Sequence, residues 1–89
     1  MIASTELMVK TVWKGMVIID NYPNADDAAI YLNPDDYALV KNYYEDFFQQ
    51  PVKEIPGGFR QFGIKFLPES KIPPGEMGIE VPIGKRRQT

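Results

Sequence analysis

Residues 33–51 read NPDDYALVKNYYEDFFQQP, and this stretch decides the fold. Asn33 is a preferred N-cap, because its side-chain oxygen accepts from the free N–H groups of a first helical turn. Pro34 stands where a missing N–H costs nothing, and Asp35 and Asp36 bring negative charge to the positive end of the helix dipole. Pro51 clashes with further helix and drives Gln50 out of the helical region. A step of about 100° per residue puts Leu39, Val40, Tyr43, Tyr44, Phe47 and Phe48 on one side. Ala38, Lys41, Asn42, Glu45, Asp46 and Gln49 fall on the other. The pattern predicts an amphipathic helix over 34–50 that buries Val40, Tyr44 and Phe47.

Toward the N-terminus, residues 7–20 (LMVKTVWKGMVIID) are rich in Val, Ile, Thr and Trp. Val9, Thr11, Trp13, Val17 and Ile19 share one side of a two-residue period, so the run reads as extended, with Gly15 as a bulge or bend. The alternative is a short first helix capped by Ser4. Residues 20–27 are turn chemistry, and residues 28–32 a short buried strand leading into the helix. Toward the C-terminus, residues 51–58 read as a connection bent at Pro56-Gly57-Gly58. Residues 59–66 read as one strand with Phe62, Ile64 and Phe66 on one face. Turns follow at 68–70 and 72–75, and residues 77–83 alternate as a last strand. The expected architecture is α+β: one main amphipathic helix on a small, mostly antiparallel sheet. Residues 1–84 form that single domain, and residues 85–89 a basic flexible tail.

Eighty-nine residues make one modest core. The chain has no cysteine and no histidine. A disulfide framework and a thiolate nucleophile are therefore excluded, and the commonest general base and metal ligand is missing. The expectation is a protein that is not an enzyme and uses no cofactor or metal. The acidic pairs Asp26-Asp27 and Asp35-Asp36 lack the alternate spacing of a calcium loop. No apolar run approaches the roughly 20 residues of a membrane span, and residues 1–6 lack the features of a signal peptide. A cytoplasmic protein without membrane contact is expected.

Charge is unevenly placed. Residues 1–50 carry three Lys against eight Asp or Glu, a net of −5, and residues 51–89 seven Lys or Arg against four Glu, a net of +3. Opposite poles suit self-association or an acidic partner. Five tyrosines add to this, since tyrosine buries area while its hydroxyl stays wet. Tyr22, Tyr31 and Tyr43 are the candidates for protein contact. The alternative is nucleic-acid binding by the basic half, through Phe59, Arg60, Lys65, Lys85, Arg86 and Arg87. Residues 62–66 (FGIKF) are similar to the aromatic strand on which RNA-recognition domains stack bases, displaced by one residue.

Two stretches resemble a known family. Ile30-Tyr31-Leu32-Asn33-Pro34-Asp35-Asp36-Tyr37 resembles the strand–Asn-Pro–helix entry of the major capsid proteins of tailed bacteriophages. Residues 63–77, with Ser70-Lys71-Ile72-Pro73-Pro74-Gly75, resemble the strand–turn–strand that follows in those proteins. The chain is too short for the family's long spine helix and extended loop. The resemblance thus implies a reduced relative or another phage-type protein, working in assembly, as a structural part or as an inhibitor of a host protein, in the host cytoplasm or the virion.

Overall fold

The structure, a computed structural model, describes residues 3–22 and 27–81. The elements are α1 (Ala3–Asp20), β1 (Ala29–Leu32), α2 (Pro34–Phe48), β2 (Lys53–Ile55), β3 (Gly58–Gln61), β4 (Ile64–Pro68) and β5 (Met77–Glu80). The five strands form one sheet in the order β2-β3-β4-β1-β5, antiparallel except for β1 beside β4. The fold is α+β with a mostly antiparallel sheet, as the sequence predicts. The described residues form two helices instead of one.

The helix α2 begins as its sequence dictates. Asn33 Oδ1 accepts from the Asp35 N–H at 3.0 Å, and Pro34 follows at the first position. The helix ends two residues short of the expected Gln50, where Gln49 turns left-handed with φ 57° and the Gln49 and Gln50 N–H groups both reach the Glu45 carbonyl. Its buried stripe is Asp36, Val40 and Tyr44, at i, i+4 and i+8. Phe47 is 65% exposed, which corrects the expectation that it is core. Phe47 lines an open groove instead, so a residue of the right helical phase still meets solvent.

The first helix is a larger correction. Residues 7–20 are not extended; they belong to an 18-residue helix, and Ser4 lies inside it. Met8, Val12, Gly15 and Ile19 form its buried stripe, at a 4-3-4 spacing that the apparent two-residue alternation concealed. Thr11 Oγ1 donates to the Leu7 carbonyl at 2.8 Å, which satisfies a β-branched residue within a helix. Gly15 is a point of close approach: a Cβ there would stand 2.8 Å from Sδ and Cε of Met77 in β5.

Residues 59–66 are two strands. Gln61 pairs with Ile64 across a two-residue turn whose central residues, Phe62 and Gly63, have φ of 56° and 79°. That is the turn geometry hairpins favour, and Asn-Gly usually supplies it. The phenyl ring hid the signal. The bend expected at 56–58 is present, with Gly57 at φ 83°, and it closes a second hairpin by pairing Ile55 with Gly58.

Register divides the sheet into two faces. Phe59, Ile64, Phe66, Ile30, Leu32, Met77 and Ile79 point to the helices, where Phe59 and Phe66 stack at 4.9 Å with planes 5° apart. Tyr44 drops edge-on over Phe66 at 6.0 Å. Burial pushes its hydroxyl up to about 12. At the start of α2 the 69–76 turn is fastened down. Asn33 Nδ2 donates to the Ile72 carbonyl at 3.1 Å, and the Gly75 N–H donates to Asp36 Oδ2 at 2.7 Å.

Candidate interaction surface

The packing leaves an open groove where α1, the last turn of α2 and the β3–β4 turn converge. It encloses about 180 Å³. Val9, Trp13 and Met16 form the α1 wall, Tyr43, Phe47 and Phe48 the α2 wall, Tyr44 the floor and Phe62 the end. The rings touch in sequence. Tyr43 stacks on Phe47 at 5.9 Å, Phe47 meets Phe48 at 4.9 Å, Phe48 meets Phe62 at 6.0 Å, and Phe62 stands edge-on to Tyr44 at 5.5 Å. Exposure runs against the burial that such residues favour: Phe47 65%, Trp13 62%, Phe62 56%, Phe48 40% and Tyr43 37%. With roughly 150–250 Å² available on each large ring, the five exposed aromatics present on the order of 500 Å². Phe62 holds its place at a backbone cost, because a bulky residue at positive φ is strained. A chemically ordinary Asn there would relax the turn and remove the ring that closes the groove.

Among the described residues no helix covers the opposite face of the sheet. One row across it reads Lys53, Arg60, Lys65, Ala29 and Glu80 on successive strands. Three cations therefore stand side by side, an arrangement that costs stability when like charges face each other across strands. The Arg60 guanidinium donates to the Gly63 carbonyl at 2.9 Å. Tyr31 lies on the same face and donates to Glu80 Oε1 at 2.6 Å, and that carboxylate holds the phenol above its usual range. On the helix face, Lys41 Nζ bridges Glu54 at 3.0 Å, and this hydrogen-bonded carboxylate raises the lysine.

The residues named from the sequence are scattered by this geometry. Tyr43 belongs to the groove, Tyr31 to the bare sheet face, and Tyr22 follows the end of α1. Of the nucleic-acid candidates, Arg60 and Lys65 are brought together. Phe59 is fully buried on the helix face, which corrects its assignment as a stacking residue. Phe66 is buried beside it. Lys85, Arg86 and Arg87, with the tail, lie outside the described residues, as does Asp26. Trp13, Phe47 and Phe48 stand outside the interaction candidates read from the sequence, and Phe62 enters there only within the 62–66 stretch similar to a base-stacking strand, because their exposure depends on where the helices leave a groove and where the chain turns.

Among the described residues no group of three or more Asp, Glu, His or Cys could hold a metal ion. No described helix is long and apolar enough to cross a membrane. Compared with family models, curated proteins and solved structures, the chain matches none.

Proposed function

We propose that this is a non-enzymatic protein-interaction domain whose docking surface is the aromatic groove. The observation that carries the reading is the exposed aromatic patch in which Tyr43, Phe47, Phe48 and Phe62 stand ring to ring, with Trp13 lining the same groove from α1. At roughly 500 Å² it is on the scale of the largest apolar patch of a typical monomer, and patches of that size are often functional. Aromatic side chains of this kind dominate binding energy where they enter a desolvated contact. The resemblance to phage capsid proteins extends the reading to a role in an assembly.

A second reading, nucleic-acid binding by the bare sheet face, is favoured by the row Lys53, Arg60 and Lys65. One experiment separates the two. Wild type and the Trp13→Ala/Phe47→Ala double variant are compared for retained partners, each with and without nuclease. The account expects nuclease-resistant protein partners that the variant loses while its circular dichroism and melting stay near wild type. Partners that vanish on nuclease treatment and survive the double substitution would put the sheet face first.

A further inference from the structure

The helix α1 carries two seams. Met8, Val12, Gly15 and Ile19 make the one its own fold fills. Glu6, Lys10, Trp13, Val17 and Asp20 make the other, at a 4-3-4-3 spacing, and every one of them is exposed. A heptad-spaced stripe is the pattern with which helices pair. Here nothing among the described residues covers it.

The order of residues along this bare seam states what does. In an antiparallel pair of such helices, facing layers join residues whose numbers have a constant sum. A sum of 30 sets Lys10 against Asp20 of a second copy and Trp13 against Val17, then the same two layers in reverse. Two apolar layers in the middle are closed at each end by an ion pair, across about 15 Å of helix. Parallel pairing in register would instead set Lys10 on Lys10 and Asp20 on Asp20. The stripe is thus complementary to itself in one direction only, which is the requirement of a two-fold interface. Val9 and Met16, one residue to the groove side, widen the apolar contact toward Phe47 and Phe62. The exposed aromatic area, with the surface of Lys10, Val17 and Asp20 added, approaches the roughly 800 Å² per partner of a standard interface.

The geometry points to a second copy of this chain as the occupant: a two-fold dimer formed by antiparallel pairing of α1 through Lys10, Trp13, Val17 and Asp20. This rests on reading the aromatic groove as an interface, and it names the partner. Charge reversal tests it. Sedimentation of the full chain at low ionic strength, from micromolar to millimolar, should show a dimer. Lys10→Glu and Asp20→Lys should each weaken it by at least about tenfold, because each change acts twice in a symmetric pair and replaces attraction with repulsion. The double variant Lys10→Glu/Asp20→Lys should recover the wild-type constant. A monomer at every concentration overturns the pairing, and so does a dimer indifferent to the single reversals or one the double reversal does not restore. If the wild type is a monomer whose retained partner is still lost in Trp13→Ala/Phe47→Ala, the docking surface stands and only the second copy is excluded.

Discussion

Truncating Phe66 to Ala should remove about 3–5 kcal/mol of stability, read as a fall in urea midpoint with an unchanged slope. The ring is fully buried. It stacks on Phe59 at 4.9 Å, receives Tyr44 edge-on at 6.0 Å, and lies on β4 beside Ile30 of β1. Removing it opens a void where β3, β4, β1 and α2 all meet, and backbone on four elements cannot close in together. At roughly 0.05–0.15 kcal/mol per residue, a domain of this size has about 4–13 kcal/mol in all, so the loss takes a large share of it. A loss under about 1 kcal/mol would place the core elsewhere.

Gly58→Ala should be as damaging, for a different reason. A Cβ at this position would stand 2.0 Å from the Phe66 carbonyl oxygen and 2.8 Å from Cδ2 of Leu67. The oxygen is backbone, so it cannot swing away as a side chain can. Relief requires β3 to part from β4, and the cost should reach or pass the upper end of the roughly 1–3 kcal/mol of an overpacked site. Gly15→Ala is the control. Its obstacle is the flexible end of Met77, and the helix gains up to about 1 kcal/mol in propensity. Its effect should be small. Equal losses at the two glycines would contradict the β3–β4 register.

What the sequence discloses and what it conceals follow from how local each cause is. The start of α2 is legible because Asn33, Pro34, Asp35 and Asp36 act on backbone within a few residues. The strand at β1 and the bend at Gly57 are legible for the same reason. The helix α1 is not, because its β-branched residues favour extended structure locally and only packing on α2 and β5 overrules them. The β3–β4 turn is concealed because Phe62 takes a backbone conformation that Asn or Gly would advertise. The surface is the least local feature of all. Phe47 and Phe48 have the residue types of a core, and nothing local says that the last turn of α2 borders an open groove. The charge split between the chain's halves is visible, but it becomes informative only when register lines up Lys53, Arg60 and Lys65 and when the seam sets Lys10 and Asp20 ten residues apart.

The central claim is that the patch around Trp13 is a surface built to be covered, and Trp13 is the chain's one tryptophan. Its emission can be followed with iodide quenching through a dilution series from millimolar to nanomolar. The account predicts a red, freely quenched indole in dilute protein, turning blue and protected as the protein associates. An indole that stays red and equally quenched at every concentration, and in complex with any retained partner, would contradict it.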